Sequence, residues 1–325
     1  MIHVAGVLVA LACGCSAGDD VGRSSDRVER SIQPIIGGVP SGADHDAVVV
    51  LGLFVDHYRR GLCSATLVAP NLVLTARHCV TDVDPDAECN RDGEPVLGAE
   101  LHTNHPASEI AIFVPKDGKV VSNSDESLAS AHGKELVIDE TATTLCNRDF
   151  AFVVLDRDVD GPIARLRLGS AAMYERVTAV GWGVTETGLL PATRMERPGL
   201  RLLAAGPSLY PSDPKQGIGD AEVFVGESAC VGDSGSPALT ENGVVVGVAS
   251  RAGNGQPRDA NNLAATCTGD TARVVYDHFG TLAAQQLVWR AFDAAHQVPQ
   301  LETPPLAAST AGIDRDPGSS TLGGQ

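Results

Sequence analysis

The chain has 325 residues, 43% of them hydrophobic, which is enough for one or two ordinary domains with a sizeable core. A formal net charge of −17 at pH 7 argues against nucleic acid or an anionic membrane surface as a partner, because phosphate binding needs clustered Lys and Arg. The 35 Gly and 19 Pro, set among short β-branched runs such as Val48-Val49-Val50 and Val244-Val245-Val246, favour an all-β fold with many turns.

Residues 1–15 read as a bacterial signal peptide. Residues 2–12 are mostly apolar, too short to cross a bilayer as a helix, and end in small residues before Cys13 and Cys15. Ala10-Leu11-Ala12-Cys13 is similar to a lipoprotein signal, in which the Cys thiol carries the lipid; such signals prefer Leu three residues before the Cys, and Leu11 stands two before it. The expectation is lipidation at Cys13 or Cys15, hence a cell-envelope lipoprotein, or cleavage to a soluble secreted form. No Lys or Arg precedes the apolar run, which points to a start codon upstream. Residues 16–34 are polar and read as a tether or propeptide.

The folded body is expected over 35–297. Strand-like runs recur at 48–55, 66–74, 110–114, 150–155, 177–183 and 244–250, and Leu282, Leu287, Val288, Ala291, Phe292 and Ala295 follow helical spacing. Residues 298–325, rich in Pro, Gly, Ser and Thr, read as a disordered tail. Beyond the signal, six cysteines remain: Cys63, Cys79, Cys89, Cys146, Cys230 and Cys267. Their even number, with no C-x-x-C pair, fits disulfides better than zinc and leaves the connectivity open.

Three separated segments carry chemistry. Leu72-Val73-Leu74-Thr75-Ala76-Arg77-His78-Cys79 delivers a histidine, the natural proton carrier near neutral pH, at the end of a strand-like run. Asn147-Arg148-Asp149 sets a carboxylate just before the apolar Phe150-Ala151-Phe152-Val153-Val154-Leu155. In Cys230-Val231-Gly232-Asp233-Ser234-Gly235-Ser236-Pro237 the glycines permit a tight backbone that exposes a serine and aims amides at one spot. Taken singly, the His or the Asp would more often be structural.

Together the three resemble the chymotrypsin-like serine peptidase family, whose motifs are Thr-Ala-Ala-His-Cys, Asp-Ile-Ala-Leu and Gly-Asp-Ser-Gly-Gly-Pro. The chain order His, Asp, Ser separates this family from subtilisins and α/β-hydrolases. Ile35-Ile36-Gly37-Gly38 and Gly181-Trp182-Gly183 are similar to the family's mature N-terminus and Gly-Trp-Gly strand. The resemblance implies an all-β fold of two packed antiparallel β-barrels of the chymotrypsin type with a C-terminal helix. It also implies a serine-type endopeptidase, monomeric, acting on proteins or peptides without a cofactor. Ser234 would attack the scissile carbonyl, His78 would carry the proton, Asp149 would orient the imidazole, and the N–H groups of Gly232 and Ser234 would form the oxyanion hole. A freed Ile35 ammonium would pair with Asp233 and order that hole. The implied disulfides are Cys63–Cys79, Cys230–Cys267 and Cys89–Cys146.

Four departures from the family pattern stand out. Arg77 replaces a small Ala, Ser236 replaces a Gly, and Pro34 precedes Ile35 where trypsin-activated zymogens carry Arg or Lys. The fourth lies at the floor of the substrate pocket, where the resemblance puts Ser228 in place of the Asp that receives Lys or Arg side chains. Ser250, Ala252 and Val274 fall on the pocket walls, which implies cleavage after small or medium uncharged residues. Glu227, if its loop were shifted inward, would favour basic ones. Asp82, Asp84 and Asp86 alternate like calcium ligands, but Pro85 interrupts them and no Gly follows at the required place. His102 and His105 have no evident third ligand, so no metal is expected. The competing function is a catalytically silent homologue serving as a surface binding protein.

Overall fold

The computed structural model describes residues 35–84, 86–184, 193–211, 213–257 and 261–302. The signal, the tether and the two candidate lipidation cysteines lie outside them.

Long apolar runs in the first half of the body pair into a closed barrel. Its strands are β1 (Val48–Val55), β2 (Tyr58–Ala69), β3 (Leu72–Thr75), β4 (Ile110–Phe113), β5 (Ala131–Val137) and β6 (Ala151–Leu155), in the order β1-β2-β3-β6-β5-β4, with β4 pairing back onto β1. Asp56 and His57, at φ of 52° and 66°, form the left-handed two-residue link that suits a tight hairpin between β1 and β2. The single run expected at 66–74 is in fact two strands. Pro70 has no N–H to give a ladder, so the chain turns at Pro70-Asn71 and returns as β3. β5 was invisible to hydrophobic pattern because its middle, Gly133-Lys134-Glu135, is polar and mostly exposed.

The second half forms a curled sheet from β7 (Arg176–Gly181), β8 (Met195–Arg201), β9 (Ala204–Ala205), β10 (Glu222–Val225), β11 (Pro237–Leu239), β12 (Val244–Gly253) and β13 (Arg273–Asp277). The order is β8-β7-β11-β12-β13-β10-β9, with Val39–Pro40 on the outer edge beside β8. The expected chymotrypsin-type all-β fold is thus present, a closed six-strand barrel beside a second sheet curled into a half-barrel. β8, beside the edge pair Val39–Pro40, and β9, at the opposite edge, are successive stretches of one segment. That segment bends at Leu202-Leu203, where Leu202 N–H donates to Glu175 O at 3.0 Å and Leu203 N–H to Phe224 O at 2.8 Å.

Helix α1 (Leu282–Ala294) starts at Thr281, whose hydroxyl accepts the Ala284 N–H at 3.2 Å, and buries Ala284, Leu287, Val288, Ala291 and Phe292 in the core shared with the closed barrel. The ordered body runs past the expected end at 297. Leu301 bridges Leu166, and Arg167 holds the Glu302 carboxylate at 2.5 Å. Three disulfides, Cys63–Cys79, Cys89–Cys146 and Cys230–Cys267, link the same cysteines that the resemblance paired. Among the described residues no helix is long and apolar enough to cross a membrane. Three disulfides fit an exported protein.

Candidate active site

His78 stands on a one-turn helix, Arg77–Cys79, directly after β3, and Cys79 is tied back to Cys63 on β2. Asp149 sits two residues before β6, the strand paired with β3, so two neighbouring strands bring the pair together. His78 Nδ1 lies 2.8 Å from Asp149 Oδ2, and the His78 backbone N–H donates to Oδ1 at 2.9 Å. Ser250 on β12 adds a hydroxyl donor to Oδ2 at 2.6 Å. Burial would raise the Asp149 pKa. The facing His78 charge and the hydrogen bonds from His78 and Ser250 outweigh that and hold the carboxyl below its usual range.

Ser234 lies across one cavity of about 550 Å³ from this pair; His78, Gly232, Ser234 and Ser250 all line it. Its loop is pinned by Ser64, next to Cys63 on β2. The Ser64 N–H donates to Ser234 O at 2.8 Å and its hydroxyl to Gly232 O at 3.1 Å. Gly235 has φ of 80°, and a Cβ there would collide with Thr75 Oγ1 and Ser64 O, so only glycine lets the loop press against the barrel. Among the described residues no protein acceptor takes the backbone N–H of Gly232 or Ser234.

Asp233 turns away from the cavity into the interior. Its carboxylate accepts N–H donors from Gly183 at 2.7 Å and Cys230 at 2.9 Å, and a further backbone bond from Ile35. Burial dominates and pushes its pKa up to about 7. A Cβ on Gly183 would overlap the Asp233 carboxylate, which accounts for the second glycine of Gly181-Trp182-Gly183. Ile35 is fully buried at φ of 53°, a conformation rare for a β-branched residue.

The expected pocket residues divide. Ser250 and Ala252 line the cavity, whereas Ser228 and Val274 are 0% and 2% exposed and do not line it. The Ser228 hydroxyl donates to Gly226 O at 3.3 Å. The Glu227 carboxylate accepts the Gly269 N–H at 2.8 Å and lies 3.6 Å from Arg197, outside the cavity lining.

Arg77 neither crowds its neighbours nor reaches solvent. It is 5% exposed, and its guanidinium donates to Thr81 Oγ1 at 2.8 Å, Asn104 Oδ1 at 2.9 Å and Asp139 O at 3.4 Å. The tempting metal ligands pair with one another instead. His105 meets Asp82 at 3.2 Å and His102 meets Asp84 at 3.7 Å. Cys63, His78 and Cys79 bring ligand atoms within 4.8 Å, but both sulfurs are committed to a disulfide and offer no thiolate.

Sequence reasoning missed Ser64, and it missed the buried acids Glu222 and Asp277, both 0% exposed. The available signal was a carboxylate inside or ending an apolar strand, as in Glu222-Val223-Phe224-Val225 and Arg273-Val274-Val275-Tyr276-Asp277.

Residues 35–268 match the family model described as Trypsin. Among solved structures, the crystal structure of the scabies mite inactivated protease paralogue S-D1 is similar, at 19% identity and a TM-score of 0.55, covering 82% of this chain and 100% of that one. No curated protein matches the chain. With its barrel and half-barrel meeting around His78 and Ser234 and most of its length under the family model, the chain belongs to the trypsin family.

Proposed function

We propose that the chain is a serine endopeptidase in which Ser234 attacks the scissile carbonyl and His78 takes its proton, then gives it to the leaving amine. Asp149 holds the imidazole with Nδ1 protonated and stabilises the imidazolium that develops. The observation that carries this reading is the 2.8 Å bond between His78 and a fully buried Asp149, on the same cavity as Ser234. The uncommitted N–H groups of Gly232 and Ser234 suit an oxyanion, and each such donor is worth about 3 kcal/mol in related chemistry.

Cleavage before Ile35 activates the enzyme in this reading. The new ammonium pairs with Asp233, whose carboxylate already reaches the Ile35 backbone. In this reading a signal exports the chain, and either lipidation at Cys13 or Cys15 holds it at the cell envelope or cleavage releases it as a soluble secreted form. Specificity in this reading follows from the resemblance, which puts neutral Ser228 where other members carry the Asp that receives basic side chains, and from Ala252 on the cavity wall. Glu227 is engaged elsewhere, and of the acids that line the cavity, Asp84, Asp86 and Glu88, Asp84 meets His102 at 3.7 Å and Glu88 meets Arg273 at 3.6 Å, which leaves small or medium uncharged side chains favoured.

Ser234→Ala and His78→Ala, singly and together, test the mechanism. Each single change lowers turnover by orders of magnitude and the double change adds little, because the two act as a unit. Substantial turnover in Ser234→Ala removes the assignment. The competing reading, a silent homologue that binds without cutting, draws on the inactivated status of the scabies mite paralogue. It predicts no turnover in the unmutated chain.

A further inference from the structure

The turn that carries Asp149 is gripped from the other half of the fold by two buried acids that the proposed chemistry does not use. Asp149 donates its backbone N–H to Asp277 Oδ2, and Asn147 donates its own to Glu222 Oε1 at 3.0 Å. Ala221 returns an N–H to Asn147 Oδ1 at 3.0 Å. Asn147 has φ of 64°, a left-handed conformation that Asn tolerates better than most residues. The turn thus depends on outside partners for its shape.

Glu222 and Asp277 face each other directly across the β10–β13 pair, and both are fully buried. Two carboxylates so placed destabilise a sheet if both are charged. Arg251 resolves the conflict on one side only, donating to the two Glu222 oxygens at 2.6 and 2.9 Å, while the Gly219 N–H adds 2.8 Å on Oε2. Burial works against the Glu222 charge, but Arg251 and these hydrogen bonds hold its pKa below the usual range. Asp277 goes the other way: burial first, then the Glu222 and Asp149 charges, drive its pKa well up. A neutral acid is far cheaper to bury than a second carboxylate. Asp149 therefore gains an acceptor beneath it with no second negative charge there.

We propose that Asp277, braced by the Glu222–Arg251 pair, is a positioning residue for the reaction: it fixes the backbone of Asp149 and so the aim of that carboxylate at His78 Nδ1. The role rests on the peptidase reading above. The charged groups facing Asp277 are Glu222 on β10, Arg251 on β12 and Asp149 before β6, and one residue beyond them stands His78.

The test uses the full chain cut before Ile35. Asp277→Leu fills the space without an acceptor, Asp277→Ala removes both, and Asp277→Asn keeps a carbonyl oxygen. Turnover is counted per Ser234 titrated with a fluorophosphonate, so unfolded molecules drop out of the comparison. In Leu and Ala variants kcat falls roughly 10- to 100-fold with KM within about twofold, since a small misplacement of a catalytic group costs on this scale. The acid limb of the kcat/KM profile moves to lower pH, because a loosened Asp149 stabilises the His78 imidazolium less. The downfield NMR resonance of the His78 Nδ1 proton shifts or broadens. Asp277→Asn restores kcat to within about threefold of wild type and keeps the resonance in place. An unchanged kcat per titrated site and an unchanged resonance in the Leu and Ala variants overturn the role, as does an Asn variant no better than Leu. A wild-type Ser234 that does not react at all sinks the peptidase reading itself, and the role with it.

Discussion

In the uncut chain Asp233 lies in the interior with backbone donors for company, and its pKa stands at about 7 against an ordinary 3.8. Folded, it keeps its proton to higher pH than the unfolded chain does. The stability this group contributes is therefore whole below about pH 4 and drains away as pH rises through about 7. At ~1.4 kcal/mol per pH unit between the two values, the loss amounts to about 4 kcal/mol. Asp233→Asn cannot titrate. Its amide faces an N–H donor and costs about 1–3 kcal/mol, but that offset does not vary with pH. Guanidinium denaturation of uncut wild type and uncut Asp233→Asn, disulfides intact and ionic strength fixed, should show the wild-type advantage falling by about 4 kcal/mol from about pH 4 to about pH 8. Cutting before Ile35 supplies an ammonium partner, and the fall should then vanish. A wild-type minus Asn difference that stays level across that range refutes the argument.

Arg77→Ala removes the buried guanidinium that Thr81, Asn104 and the Asp139 carbonyl share, leaving Thr81 and Asn104 only their mutual bond of 2.8 Å, and should destabilise the fold by about 3 kcal/mol in a urea titration at neutral pH; a change under ~0.5 kcal/mol would place the guanidinium in solvent instead. On matched peptides that differ only at the residue before the cleaved bond, kcat/KM should be highest for Ala, Val or Leu. An Arg or Lys peptide leading the series would mean that Glu227, or one of the acids lining the cavity, Asp84, Asp86 and Glu88, receives the basic side chain.

Local sequence carried the site as far as local sequence can. His78, Asp149 and Ser234 announce themselves because each sits in a motif of neighbours, and the cysteines flanking His78 and Ser234 could be paired by resemblance. What depends on distant partners was out of reach. Nothing near Arg77 in sequence reveals Asn104 or Asp139, so its place in the interior could not be read. The position of Ser228 relative to Ser234 was countable, but whether a cavity reaches Ser228 is a matter of packing around it. The pairing of Glu222 with Asp277 is a cross-strand register between segments far apart in the chain. The bend at Leu202-Leu203 between β8 and β9 likewise depends on acceptors elsewhere in the chain, the carbonyls of Glu175 and Phe224.

The most direct measurement is the reaction of a fluorophosphonate with protein whose chain begins at Ile35, followed by mass mapping of the modified residue. The account predicts stoichiometric labelling on Ser234, abolished by His78→Ala and accompanied by loss of peptide hydrolysis of roughly 10⁴-fold or more in either single variant. A correctly folded chain with all three disulfides formed that leaves Ser234 unlabelled and cuts no peptide would contradict it.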